Sequence, residues 1–117
     1  MIVYMIDSQG RARIAALVTT VIGRRGTSVA KVGAMPGAPS RETIFRVLRK
    51  EDVREPMLQA LGAKLGLPMD FILYVGAGDV EKIRAAAMDD PDLVRWTVDL
   101  IKADRPNTRR RRRGVAG

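Results

Sequence analysis

Apolar positions follow a helical period in the first third of the chain. Between Arg11 and Ile22 they fall at i, i+3, i+4, i+7 and i+8, which predicts a helix with one buried stripe. Shorter runs rich in apolar and β-branched residues elsewhere predict strands. These runs are Ile2 to Ile6, Thr27 to Met35, Thr43 to Arg49 and Met69 to Val75.

A second amphipathic helix is predicted between Glu51 and Gly66. Pro56 must lie in its first turn, because a proline deeper in a helix removes a backbone hydrogen bond. The element order is then β-α-β-β-α-β, which predicts a ferredoxin-like α/β fold with both helices on one face of an antiparallel sheet. The opposite sheet face would meet solvent, a ligand or a partner.

Two further helices are predicted after Gly78. Asp79 can cap the first, which runs to about Met88, and the second extends from Leu93 to about Lys102. The second is apolar around most of its circumference, so it must be buried between two surfaces. Packing on its own domain and contact with a partner both explain that pattern.

Charge is concentrated at the C-terminus of this chain, whose net charge is +8. Six arginines lie beyond residue 104, so 15 basic and 13 acidic residues remain in the rest of the chain. Residues 105–117 lack apolar periodicity and are expected to be disordered. Arginines in a row attract nucleic acid without base specificity; they are Arg109, Arg110, Arg111, Arg112 and Arg113.

The sequence contains neither cysteine nor histidine. Disulfides, thiolate metal sites and histidine-dependent catalytic arrangements are therefore excluded, and only carboxylate- or lysine-based catalysis stays open. We expect a protein that is not an enzyme and that has no cofactor and no metal site. No apolar run is long enough to span a bilayer, and the start lacks the features of a signal peptide, so a cytoplasmic location is expected.

The turn from Asp7 to Ala12 is the first candidate ligand site. Gly10 permits a tight turn between a predicted strand and a predicted helix, whose free N–H groups can bind a carboxylate. Asp7 could receive an ammonium group, so the turn suits an amino acid. The alternative is that Asp7 or Ser8 merely caps the helix.

The segment DSQGRARIAALVTTVIGRRGTSV resembles the opening of an ACT domain, and is most similar to those of acetolactate synthase small regulatory subunits. Gln9 stands where that family has proline, and Ser28 where the small subunits have asparagine. The resemblance covers residues 1–78 and implies an ACT-type sandwich, to which residues 79–104 add a helical extension. It also implies side-by-side homodimers that bind an amino acid, branched-chain in the small subunits, at their interface. By position, the ligand-binding residues would be Asp7, Ser8, Gly10, Arg11 and Ala12.

These features together predict a non-catalytic, allosteric regulatory module that binds an amino-acid effector and modulates a catalytic subunit. One alternative is a nucleic-acid-binding or scaffold protein that acts through its arginine-rich tail. Another is a purely structural oligomerisation domain. RNA recognition through a ferredoxin-like sheet is less favoured, because Tyr4 and Phe45 are the only aromatics on the two strands concerned. The Gly76–Gly78 stretch lacks the remainder of a phosphate-binding motif and is interpreted as a loop.

Overall fold

The structure is a computed structural model that describes residues 6–104. Within that range the chain forms seven helices and no sheet. The helices are α1 (Ser8–Arg24), α2 (Val29–Gly33), α3 (Arg41–Leu48), α4 (Glu55–Leu65), α5 (Met69–Ala77), α6 (Val80–Ala86) and α7 (Pro91–Asp104).

The predicted ferredoxin-like α/β fold of the ACT domain is therefore wrong. Three segments predicted as strands are helical: Thr27 to Met35 contains α2, Thr43 to Arg49 contains most of α3, and Met69 to Val75 lies in α5. The remaining one, Ile2 to Ile6, lies outside the described residues except for Ile6, which belongs to no helix.

Residues 41–48 form a helix because a cap and a buried stripe favour the same conformation. Ser40 is the N-cap, and its hydroxyl accepts a hydrogen bond from the Thr43 N–H at 3.2 Å. Ile44 and Val47 lie three residues apart and are both buried in the core. An eight-residue run with this spacing satisfies a helix as readily as a strand, and here the packing selects the helix.

Helix α5 is apolar on most of its circumference because it lies inside the molecule. Phe71 is fully buried, and Ile72 and Val75 are nearly so. A short apolar run of this kind cannot be assigned to helix or strand by its period. Its burial between α1, α4 and α6 shows why the run needs no polar face.

The four predicted helices are present in α1, α4, α6 and α7. Every member of the predicted α1 stripe is buried, and α1 contacts α3, α5 and α7. Asp79 caps α6 by accepting a hydrogen bond from the Lys82 N–H at 3.2 Å. The buried α1 stripe consists of Ile14, Leu17, Val18, Val21 and Ile22.

Helix α7 packs along α1 near the chain's C-terminus. The Arg24 guanidinium lies 5.8 Å from the centre of the Trp96 ring, and Arg25 pairs with Asp90 at 3.6 Å. Thr97 is fully buried, and its hydroxyl donates to the Leu93 carbonyl at 2.7 Å. Of the two explanations for the apolar α7, packing within the chain accounts for its buried side.

Tight contact between α4 and α5 depends on a glycine. A Cβ at Gly62 would lie 2.5 Å from the Leu67 carbonyl oxygen and 2.7 Å from a methyl carbon of Ile72.

Over residues 6–104, no single helix has the length and apolar character to cross a membrane. The pair α4 and α5 meets both measures only together, with a 112° bend between them.

Candidate nucleic-acid interface

Helix α3 presents a charged face to solvent. Its exposed side chains recur at i, i+1, i+4, i+5 and i+8, opposite the buried Ile44 and Val47. An α-helix with its side chains is about 10–12 Å in diameter, so an exposed helix face such as this one fits the DNA major groove, which is about 12 Å wide. The exposed face, termed the α3 face below, consists of Arg41, Glu42, Phe45, Arg46 and the C-cap residue Arg49.

Helix α2 holds the N-terminal end of α3 at close range. A Cβ at Gly33, the last residue of α2, would lie 2.8 Å from Cγ of Arg41, so only glycine allows this approach without displacement. Val32 anchors α2 with a fully buried side chain. The two helices are thus packed as a unit, and α3 also contacts α1.

The connection between α2 and α3 is made compact by a reverse turn. Pro36 and Gly37 occupy its central positions, and the Ala38 N–H donates to the Met35 carbonyl at 3.1 Å. Gly37 has φ +79°, as the third position of a type II turn requires. The whole connection, residues 34–40, exceeds the three or four residues typical of a helix-turn-helix motif.

The C-terminal end of α3 is fixed by a Schellman motif. The Glu51 N–H donates to the Arg46 carbonyl, and the Lys50 N–H to the Val47 carbonyl, both at 3.0 Å. Lys50 has φ +66°, in the left-handed region that glycine usually occupies. Arg11 of α1 donates through Nε to the Lys50 carbonyl at 3.0 Å, and so ties this end of α3 to α1.

Carboxylates neutralise the C-terminal half of the α3 face. Arg49 contacts Glu51 at 2.7 Å through Nε and Glu42 at 2.8 Å through Nη2. The hydrogen bonds that Arg49 donates to Glu51, and then to Glu42, raise the pKa of Arg49 above its ordinary value. The same Arg49 hydrogen bond lowers the pKa of Glu51, so both groups are ionised at neutral pH.

The two other arginines of the face differ in how they are held. Arg46 lies 3.4 Å from Glu51 and donates to the Asp52 carbonyl at 3.1 Å. Arg41, by contrast, makes no hydrogen bond or ion pair with any residue in the described part of the chain. The N-terminal half of the face therefore carries the cation with the fewest protein contacts.

A polar groove of about 490 Å³ runs beside α3. It separates α3 from the start of α4, where Arg54 adds a cation. Its lining combines charged side chains with the apolar side chains of Val53 and Met57. The lining residues are Thr43, Arg46, Asp52, Val53, Arg54 and Met57.

The predicted ligand turn lies at the start of α1. Asp7 is the N-cap, and its carboxylate accepts a hydrogen bond from the Gly10 N–H at 2.7 Å. Gly10 is buried, and a Cβ there would lie 2.7 Å from the Gly76 carbonyl oxygen. Ser8 is exposed in the first turn of the helix, and Ala12 lies half-buried one turn on.

Arg11 extends away from that turn. Besides Lys50 it contacts the Ile6 carbonyl, through Nη1 at 3.3 Å, and it lines a cleft of about 20 Å³ between α1 and the end of α3. Such a volume holds roughly one water molecule. The turn thus joins α1 to its neighbours, with the Asp7 carboxylate used as a helix cap.

Other predicted features fall outside these contacts. The arginine run from Arg109 to Arg113 lies beyond the described residues, as do residues 105–117 as a whole. Between residues 6 and 104, no cluster of three or more acidic side chains is arranged to hold a metal ion. The Gly76–Gly78 stretch is the end of α5, where Arg13 donates to the Val75 and Gly76 carbonyls at 3.1 and 2.7 Å.

No family model, curated protein or solved structure matches this chain. Sequence reasoning missed the α3 face because a strand places Arg46 beside Ile44 and Leu48, whereas the helix gathers Arg41, Phe45 and Arg49 on one side. Ser40, a residue type favoured at helix N-caps, was the signal that could have indicated the helix.

Proposed function

We propose that this chain binds double-stranded DNA in a sequence-specific manner, with α3 in the major groove. The observation that carries the proposal is the α3 face, a three-arginine surface on a helix that two other helices support from behind. In a helix-turn-helix motif the second helix enters the groove, and residues near its N-terminus contact base edges. Here α2 and α3 would take the places of the first and second helices, joined by a connection longer than that of the motif.

The distribution of charge supports a division of roles along the chain. Arg41, at the exposed N-terminal end of α3, suits a bidentate contact to the O6 and N7 atoms of guanine. The arginine-rich tail adds a sequence-independent attraction to phosphates. Nucleic-acid binding was predicted from the sequence only as a nonspecific attraction through the tail, and the proposal adds a sequence-specific part in α3.

The predicted amino-acid site required a sheet that the described residues do not form. In the predicted fold, strands of two copies join their sheets and the ligand lies between them. The described residues contain no strand that could do so. No contact in residues 6–104 favours an amino-acid site over the helix cap at Asp7.

The test begins with selection of duplexes from a randomised library by the full chain. We expect Arg41→Ala to weaken binding to the selected duplex by about 5- to 150-fold, the effect of losing one bidentate base contact. The matched control is Arg84→Ala, which removes the same charge from an exposed position on α6. Because α6 packs on α5 and α7 and forms no part of the α3 face, Arg84→Ala should weaken binding to the selected duplex by less than about twofold.

Three results would contradict the proposal. The library would yield no enriched duplex, single-stranded RNA would compete better than the duplex, or Arg41→Ala and Arg84→Ala would behave alike. Fluorescence anisotropy at two salt concentrations separates base contacts from phosphate contacts, because only the latter change the salt dependence strongly.

A further inference from the structure

One apolar side chain interrupts the charged α3 face. Phe45 is 38% exposed, whereas Phe71, the only other phenylalanine in the sequence, is fully buried. Its neighbours at i−4 and i+4 are Arg41 and Arg49, and Arg46 follows it directly. A partly exposed aromatic ring therefore lies among three arginines and one glutamate, Glu42 at i−3.

Its surroundings indicate what the ring contacts. The α3 face carries three arginines against Glu42, and Arg41 makes no ion pair in the described part of the chain, so the face favours an anionic partner over the apolar side chain of a protein. Double-stranded DNA exposes one prominent apolar group in its major groove, the C5-methyl group of thymine. Phenylalanine is among the side chains that make apolar contact with that methyl group.

We infer that Phe45 determines specificity by packing against a thymine methyl group in the DNA site. This inference rests on the proposed function and names the base that one residue reads. Position supports the assignment, because Phe45 lies one helical turn after Arg41 on the same face. The side chains of Phe45 and Arg41 would then enter the same major groove, and the Phe45 ring would contact a thymine near the guanine assigned to Arg41.

The experiment replaces thymine with deoxyuracil in the selected duplex, one position at a time. This change removes only the C5-methyl group and keeps every hydrogen-bonding atom. We expect one position at which the full-length protein loses about three- to tenfold in affinity, the effect of removing one buried methyl group. At that position, Phe45→Ala should bind the thymine and uracil duplexes equally.

Two further variants make the comparison sharp. Phe45→Leu keeps an apolar side chain and should retain part of the discrimination. Met88→Ala truncates another exposed apolar side chain, 76% exposed in the turn after α6 and outside the proposed interface, and should retain all of it. Because both native side chains are exposed, thermal unfolding should show that all three variants fold.

Each outcome bears on the inference in its own way. Equal binding of thymine and uracil duplexes by the wild type overturns it, and leaves DNA binding itself intact. Discrimination that survives in Phe45→Ala also overturns it, because another residue must then contact the methyl group. Failure to select any duplex overturns the proposed function, and this inference with it.

Discussion

At the residue scale, Lys50 has the most strained backbone conformation in the described part of the chain, because it is a non-glycine residue with a positive φ. Helices α1, α4 and α5 each end with a glycine in the left-handed region: Gly26, Gly66 and Gly78. Helix α3 ends in the same conformation with Lys50. A non-glycine residue there costs about 1–2 kcal/mol, which the hydrogen bond from Arg11 to the Lys50 carbonyl helps to offset.

Replacing this lysine with glycine should therefore stabilise the protein. We expect Lys50→Gly to raise the free energy of unfolding by about 0.5–1 kcal/mol, the relieved strain less the added flexibility of the unfolded chain. Chemical denaturation with urea measures the change. The reciprocal control is Gly26→Lys, which puts lysine at φ +66° where a Cβ meets no atom within 4 Å. A Lys50→Gly protein that is less stable than the wild type would contradict the strain argument.

At the element scale, the angle between α4 and α5 depends on one missing methyl group. A Cβ at Gly62 would lie 2.5 Å from the Leu67 carbonyl oxygen, and movement of side chains alone would not relieve this contact because that oxygen is a backbone atom. Because α5 packs against α1, displacement of α5 would spread through the centre of the molecule. A backbone contact of this kind fixes the relative position of two helices.

Two glycine-to-alanine substitutions test this reasoning. We expect Gly62→Ala to lower the free energy of unfolding by about 1–3 kcal/mol, the usual cost of overpacking. Gly23→Ala, in the last turn of α1, meets no atom within 4 Å and should raise it by about 0.5–1 kcal/mol. Both effects are read from thermal or urea unfolding. Equal effects of the two substitutions would show that propensity, and not contact, controls both positions.

Helices differed in how well the sequence predicted them. Helix α1 has 17 residues, long enough for a helical stripe to repeat several times, so its buried face could be predicted in full. Helix α3 has eight, and Ile44, Val47 and Leu48 fit a helix while Phe45 and Val47 also fit a strand. The choice between them is made by tertiary packing, which a single sequence does not display.

The candidate site followed the same division. Basic charge at the C-terminus could be predicted from composition, and it raised nucleic acid as one alternative, which stays a prediction. The α3 face could not, because its members come together only when residues 41–49 are helical. The Asp7 turn was recognised as a helix start, and the structure uses its carboxylate as the cap.

At the scale of the whole molecule, charge is divided between a nearly neutral body and a basic tail. The six arginines beyond residue 104 would contact phosphates of any sequence. The α3 face would contact bases. Affinity and specificity should therefore be separable by truncation.

We expect truncation after Asp104 to weaken binding to selected and random duplexes by the same factor. The slope of log K against log salt should become shallower by about two to five, since each phosphate contact contributes about 0.9. Anisotropy titrations over a salt series measure both quantities, and circular dichroism confirms that the truncated chain folds. Loss of sequence preference on truncation would assign specificity to the tail instead.

If α3 enters DNA as proposed, the carboxylates that pair with Arg49 would affect how long the complex lasts. In a wrong register, Glu42 or Glu51 would face a phosphate, and repulsion would shorten the lifetime of that complex. On a matching site, Arg49 would exchange its carboxylate partners for a base or a phosphate, and the complex would last longer. Glu42 and Glu51 would thus shorten the lifetime of complexes on non-matching sequences and so speed the search for the matching one.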